Sequence, residues 1–217
     1  MKLQSALLLS VLLVLGLAQA SASPIGRVLS RLRKTAGSGG SSTPSHGFLY
    51  RHLYARTLDL SEHHRILYEE FITERFPNKS GHRIEDVVLS YLPTARDLPS
   101  HRENHSDDEL LLDHYDNLNI FKAALNRVEE TERGNFTDTL IMNAEELHEL
   151  IRRLETVMRR VGLEDAIGPS QTMVPAFHTN VTTEEHNTRT LLVLQEFDGY
   201  IAEVVIDYET LKSRSTS

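Results

Sequence analysis

Four asparagines stand in the Asn-x-Ser/Thr pattern that accepts an N-linked oligosaccharide, the clearest covalent chemistry encoded in this sequence. They are Asn78, Asn104, Asn135 and Asn180. This sugar is typical of surface loops in proteins of the secretory pathway. The pattern therefore predicts a secreted glycoprotein whose loops contain these four positions.

Histidine and carboxylate side chains are the other groups that could do chemistry, and the chain has 11 histidines. Glu145 and His148 have the Glu-x-x-His spacing of di-iron helix bundles, but such sites need a second copy and further core carboxylates. The sequence has one copy, and both residues lie off the apolar stripe of their predicted helix. The adjacent His63 and His64 are more typical of a solvated surface than of metal ligands. We therefore expect no metal site.

Patterns of catalytic sites are also missing from the sequence. It has no Gly-rich phosphate loop, no nucleophile elbow and no cysteine. We expect no catalytic residue, no cofactor and no enzymatic activity.

The formal net charge is −8, and the basic residues are interspersed with acidic ones, which disfavours binding to nucleic acid or to anionic membranes.

The first 22 residues have the pattern of a signal peptide. Lys2 precedes an apolar run over residues 6–17, and the small residues Ala20 and Ala22 follow as cleavage positions. The run is shorter than the roughly 18–20 apolar residues that span a bilayer. We therefore expect secretion to the extracellular space and no membrane insertion.

Residues 23–46 are rich in Gly and Ser and predict a flexible leader. Its basic residues are typical of a solvated tail, with a protease processing site as the alternative. Residues 47–212 have the pattern of one helical domain, and residues 213–217 form a short tail. With no cysteine, the stability of this domain must come from its packed core.

The clearest helix covers residues 140–161, where apolar residues repeat every three or four positions and charged residues fill the other directions. The stripe consists of Leu140, Ala144, Leu147, Ile151, Leu154, Met158 and Val161. Gly162 follows where a left-handed C-cap is expected. We predict that one face of this helix enters a core and that the remaining faces are solvated.

Three other helices share this periodicity. The first covers about residues 48–75, and the second begins at the capping box of Ser106 and Glu109 and ends near Thr131. The last begins at a cap of Thr182 with Glu185 and continues for nearly 30 residues.

The lengths of the connections predict the topology. The first and third connections are long, whereas about five residues join the second helix to the third, which begins near Thr137. A long connection lets a helix run parallel to its predecessor, and a short one forces an antiparallel neighbour. The sequence thus predicts an all-α, long-chain four-helix bundle with up-up-down-down topology and two long crossover connections.

Short segments of three helices resemble long-chain helical cytokines of the interleukin-6 family. In the last helix, Leu194-Gln195-Glu196-Phe197 is similar to the Leu-Gln-Glu-Leu of ciliary neurotrophic factor. In the second helix, residues 108–125 resemble the matching helix of ciliary neurotrophic factor and of cardiotrophin-like cytokine. Residues 157–162 resemble the end of the third helix of cardiotrophin-like cytokine. The similarity covers residues 48–212. It implies a growth-factor-like ligand that binds class I cytokine receptors, including the shared signal-transducing receptor and an α-receptor, and that activates Janus kinases and STAT factors.

The resemblance implies receptor contacts on the outer faces of the first and third helices. Arg152, Arg153 and Arg159 lie on the third helix, after an acidic first half. The helix macrodipole alone explains this charge gradient, and a receptor patch is the alternative. We predict that these three arginines face outward and contact a receptor.

The resemblance also implies a receptor contact on the last helix. Relatives that recruit the leukaemia inhibitory factor receptor have a Phe-x-x-Lys motif at its start, and Glu184 and Asn187 occupy these positions here. Tyr200 stands where ciliary neurotrophic factor has a tryptophan. We predict that Glu184, Asn187 and Tyr200 contact a receptor. Since neither Glu184 nor Asn187 matches the motif, the second signalling receptor is either that protein or another copy of the shared receptor. We expect the ligand itself to be monomeric.

Two other functions are compatible with such helices. A secreted carrier of lipid or of a small ligand also uses amphipathic helices, but it shows wide apolar faces and 11- or 22-residue repeats, which this sequence lacks. A binding protein with the same bundle and no receptor role is the third alternative, because a fold does not define a function.

Overall fold

A computed structural model describes residues 45–77, 87, 89–94, 105–132, 134–168, 174–178 and 180–215. The chain divides into two units, Met1–Thr43 and Pro44–Ser217, and only the second contains described residues. The predicted signal peptide, the predicted leader up to residue 44, and the sugar acceptors Asn78 and Asn104 lie outside the described residues.

Four α-helices form the second unit: α1 (His46–Arg75), α2 (Asp107–Thr131), α3 (Thr137–Val161) and α4 (Thr183–Arg214). A short 3₁₀ helix follows α3 at Glu164–Ala166, and no strand occurs among the residues that the structure describes. The helices pack against one another as a four-helix bundle, so the predicted all-α class is confirmed.

The predicted helix ends agree closely with the structure because the capping residues identify them. Ser106 and Thr182 are N-caps with complete capping boxes, as predicted. The exception is α1, which begins two residues before the predicted start because the Ser45 side chain accepts a hydrogen bond from the N–H of Phe48.

Gly162 ends α3 in the left-handed conformation, with φ of 87°. We expect Gly162→Ala to destabilise the protein by about 1 kcal/mol, because a Cβ is strained at this φ. Urea unfolding followed by circular dichroism measures the change. Gly168→Ala is the control, since Gly168 has no positive φ and no atom within 4 Å of an added Cβ. Equal stabilities of the two variants would contradict this prediction.

Each helix buries its apolar side against two others. α1 packs against α3 and α4, and α2 packs against the same two helices. The ring centre of Phe71 in α1 lies 5.3 Å from that of Phe136, just before α3, and Phe121 of α2 lies 5.1 Å from Phe197 of α4. These aromatic contacts lie in a continuous hydrophobic core.

The buried face of α3 is wider than the stripe predicted from sequence. Asn143, Leu150 and Val157 are also buried, although none of them belongs to that stripe. The reason is that α3 contacts both α1 and α2, so two neighbouring directions around the helix are covered.

Candidate functional site

A groove lies on the outer side of the bundle between the first turns of α1 and the last turns of α3. Its cavity volume is about 580 Å³. We call it the α1–α3 groove, and it is lined by Phe48, Leu49, His52, Leu53, Glu149, Arg152, Arg153, Glu155, Thr156, Val157 and Arg159. The three arginines predicted to contact a receptor therefore share one concave surface.

The apolar part of the groove comes mainly from the start of α1. Phe48 is 46% exposed, which is unusual for a phenylalanine, and its ring centre lies 4.4 Å from that of His52. Leu53 and Val157 are buried, and they form the floor of the groove from α1 and α3. The groove thus combines an exposed aromatic ring with an apolar floor.

The charged part of the groove comes from α3. Arg152 and Arg153 contact the Glu149 carboxylate at 2.6 Å and 2.9 Å, and Arg159 contacts Glu155 at 3.1 Å. The hydrogen bond from Arg152 is the largest of the effects that hold the pKa of Glu149 below its usual value. The side chains of the three arginines are 63%, 42% and 53% exposed.

Such exposed ion pairs are worth little to folding, about 0–1 kcal/mol each. The arginines can therefore leave their partners at small cost and pair with carboxylates of another protein. Aromatic and arginine side chains around an apolar floor are the groups that dominate binding at protein interfaces. Chemically, the groove suits a protein surface that presents an apolar side chain next to acidic residues.

The same face of the bundle has a second apolar area farther along the helices. His63 of α1 lies 2.9 Å from the Glu146 carboxylate of α3. Ile66 is one turn after His63, Met142 is one turn before Glu146, and both are largely exposed. At 1.5 Å per residue, Phe48 and Ile66 are about 27 Å apart along α1.

The start of α4 differs from the prediction in one respect. Glu184 is exposed, whereas Asn187 is only 9% exposed and lines an end cavity of about 370 Å³. Glu132 is buried beside it and contacts Arg75 at 2.8 Å and His186 at 3.0 Å. These contacts join the ends of α1 and α2 to the first turn of α4, and they leave Asn187 little surface to offer a partner.

The prediction that Tyr200 contacts a receptor is wrong for this conformation, because Tyr200 is 0% exposed. Its hydroxyl lies 2.8 Å from Nδ1 of His114, whose Nε2 lies 2.7 Å from the Asp207 carboxylate. All three side chains are buried between α2 and α4. Tyr200 therefore belongs to a polar network inside the core.

The prediction of a solvated His63-His64 pair is also wrong for its second member. His63 is exposed, but His64 is fully buried where α1, α3 and α4 meet. Its Nε2 donates a hydrogen bond to the Leu194 carbonyl over 2.9 Å, and its Nδ1 lies 3.0 Å from Oδ1 of Asn143. Burial is the main cause that lowers the pKa of His64 below 6.5.

Two of the predicted sugar acceptors fall among the described residues, and both are exposed. Asn135 lies in the turn between α2 and α3, and Asn180 lies two residues before the N-cap of α4. Asn135 precedes α3, whereas the arginines of the groove lie in the second half of that helix. The spacing from Asn135 to Arg152 is about 25 Å along α3, so neither acceptor lies in the groove.

The described part of the chain contains no group of three or more His, Cys, Asp or Glu side chains arranged to hold a metal ion. Glu145 is exposed, and Nδ1 of His148 lies 2.7 Å from the Lys122 ammonium instead.

None of the described helices has the length and apolar character needed to cross a membrane.

Phe48 is the main groove residue that sequence reasoning missed. It stands at the start of the first predicted helix, and only the path of the neighbouring helix shows that it lines a groove. The signal that could have found it is its position directly before Leu49, which begins the apolar repeat with Leu53, so that Phe48 lies off that stripe.

No known protein-family model matches the chain, and no curated protein is significantly similar to it.

Proposed function

We propose that this chain is a secreted, glycosylated helical cytokine. It binds class I cytokine receptors of the shared interleukin-6-family signal-transducer type and activates Janus kinases and STAT factors. The observation that carries the proposal is the α1–α3 groove, where the exposed Phe48 and three arginines line one surface. The sequence resemblance implies receptor docking on the outer faces of these same two helices.

Residue pairs between neighbouring helices support the up-up-down-down topology that the proposal requires. Residues of α1 and α2 each meet those of α4 in reverse order, through the pairs Tyr54 with Lys212, His64 with Leu194, His114 with Asp207, and Phe121 with Phe197. Residues of α2 also meet those of α3 in reverse order, through the pairs Tyr115 with Glu155 and Lys122 with His148. Two helices that both oppose a third are parallel to each other.

Secretion and glycosylation are proposed from the signal-peptide pattern and from the four acceptors. The exposure of Asn135 and Asn180 supports this part, because the transferred sugar needs space at the surface. Neither of these two positions lines the α1–α3 groove, which a receptor-binding ligand must keep accessible.

The test of the receptor surface is a triple variant in which Arg152, Arg153 and Arg159 are replaced by alanine. We expect binding to the purified ectodomain of the shared signal-transducing receptor to weaken at least about tenfold, because each arginine loses a charged contact to the receptor. Surface plasmon resonance of the secreted protein measures the affinity. Phe48→Ala should weaken binding by a similar factor.

Arg127→Ala is the matched control, since Arg127 forms an exposed ion pair of the same kind with Glu130 on α2. It should bind as the unmodified protein does. If the triple variant and Phe48→Ala bind unchanged, the groove is not the receptor surface. If the unmodified protein binds neither this receptor nor the leukaemia inhibitory factor receptor, with or without an α-receptor, the cytokine proposal fails, and lipid-vesicle binding becomes the next experiment.

A further inference from the structure

The hydroxyl of the Asn180 acceptor motif has a structural role in the folded protein. Thr182 is the third residue of the motif and also the N-cap of α4. Its Oγ1 accepts a hydrogen bond from the N–H of Glu185 at 3.2 Å and donates one to the Glu185 carboxylate at 2.9 Å. The same carboxylate accepts a bond from the N–H of Thr182 at 2.8 Å. Both hydrogen-bonding functions of the hydroxyl are thus engaged.

The transfer of an N-linked sugar needs that hydroxyl for another purpose. An oligosaccharyltransferase recognises the hydroxyl at the third position of the motif while the asparagine reacts. The sugar moves from a lipid diphosphate donor to Nδ2 of Asn180. A bond forms between the sugar C1 and Nδ2, the bond from C1 to the diphosphate oxygen breaks, the lipid diphosphate leaves, and Nδ2 loses one proton.

We infer that the capping box of α4 keeps the Thr182 hydroxyl from the transferase and so prevents transfer to Asn180 in the folded chain. The sugar is therefore attached before the first turn of α4 forms. Thr182 then acts twice in succession, first as the hydroxyl that the transferase recognises and afterwards as the helix cap. This inference deepens the glycosylation part of the proposed function and rests on it. Asn180 and Thr182 are both exposed, so burial is not what prevents transfer to the folded chain.

The start of α2 repeats the arrangement. Ser106 is the third residue of the Asn104 motif and the N-cap of α2. Its Oγ donates to the Glu109 carboxylate at 2.9 Å and accepts from the N–H of Glu109 at 3.3 Å. Two acceptor motifs therefore end in a residue whose hydroxyl is held by the same pair of bonds. The Asn135 motif differs, because Thr137 lies inside α3 and donates to the Gly134 carbonyl at 3.1 Å.

The test measures sugar transfer to the full-length chain without its signal peptide, made unglycosylated in bacteria and shown to be folded by circular dichroism. A purified oligosaccharyltransferase and a lipid-linked oligosaccharide are supplied, and mass spectrometry follows Asn180. We expect the folded chain to react more slowly than the same chain freshly diluted from denaturant. Glu185→Ala removes both hydrogen bonds between the Glu185 carboxylate and Thr182, and with them the bond that the hydroxyl donates. It should raise the rate on the folded chain about fivefold, a factor typical of weakening a helix cap.

Two further variants test whether the loss of the cap, rather than another effect of the substitution, changes the rate of sugar transfer. Glu184→Ala removes the neighbouring exposed carboxylate and should leave the rate unchanged. Glu185→Gln can still accept a bond from the N–H of Thr182 and should stay close to the slow rate even if Glu185→Ala folds poorly. The inference is overturned if folded and freshly diluted chains react equally fast, or if Glu185→Ala and Glu184→Ala react at the same rate. Because the transferase is supplied directly, failure here is distinguishable from failure of secretion or receptor binding.

Discussion

Replacing His114 by alanine is expected to lower the free energy of unfolding by about 3–5 kcal/mol, because it breaks a buried polar network and leaves a cavity in the core. The His114 ring lies between Tyr200 and Asp207, and all three side chains are buried. The variant would leave the Asp207 carboxylate in the core without the imidazole that donates to it over 2.7 Å. It would also remove the edge-on ring contacts of His114 with Tyr200 and Tyr208.

Urea unfolding followed by circular dichroism measures this loss. His148→Ala is the matched control, because His148 is exposed on α3, and its change should stay within about 0.5 kcal/mol. The double variant His114→Leu with Asp207→Leu should recover most of the stability lost in His114→Ala, since an apolar pair needs no charge compensation. A loss below about 1 kcal/mol in His114→Ala would contradict the importance of the network.

The helices and their ends could be predicted because local chemistry determines them. Ser106 and Thr182 identify the starts of α2 and α4 by capping alone, and Gly162 identifies the end of α3 by its left-handed conformation. None of these signals depends on what the helix packs against. For the same reason, the predicted length of about five residues for the connection between α2 and α3 agrees with the structure.

The buried polar groups could not be predicted, because their positions depend on two or three helices at once. The hydrophobic pattern of α1 predicts that His64 is a surface residue, yet its ring lies inside the core against Oδ1 of Asn143 and the Leu194 carbonyl. The prediction that Tyr200 contacts a receptor was wrong for a related reason. Its comparison with a tryptophan of ciliary neurotrophic factor concerned only its position along α4, and only His114 on α2 explains why it faces inward.

The α1–α3 groove was predicted in part for the same physical reason. Arg152, Arg153 and Arg159 could be placed on the outside of α3, because charged residues avoid the core. The exposed position of Phe48 depends on where α3 passes α1, which the sequence of α1 does not contain. Sequence therefore identified the charged half of the groove and missed its aromatic half.

The second large effect expected is a loss of stability at mildly acidic pH that depends on His64. The ring is buried, and this burial lowers its pKa below the 6.5 of an exposed histidine. Below about pH 6.5 His64 becomes protonated in the unfolded chain, whereas the buried ring of the folded chain stays neutral until the pH is lower. The contribution of His64 is thus fully present above pH 6.5 and is lost as the pH falls, by up to about 1.4 kcal/mol per pH unit.

The groups that face His64 decide how far this effect extends. The amide of Asn143 on α3 and the Leu194 carbonyl on α4 are uncharged, whereas the negative charge of Asp198 on α4 favours the protonated ring. All three raise the pKa of His64, yet burial lowers it by more. The pKa of His64 therefore stays below its usual value, and the loss begins at the pKa of the unfolded chain.

Urea unfolding of the unmodified protein and of His64→Gln, at several pH values between 5 and 7.5, measures the contribution of His64. Glutamine cannot be protonated, so the stability of this variant should fall less steeply below pH 6.5. His63→Gln is the control, because His63 is an exposed neighbour on the same helix, and it should retain the full slope. If His64→Gln and the unmodified protein keep the same slope, His64 does not resist protonation in the folded state. A steeper slope in the unmodified protein and in His63→Gln than in His64→Gln would mean that one buried ring makes the packing of α1 against α3 and α4 sensitive to acid.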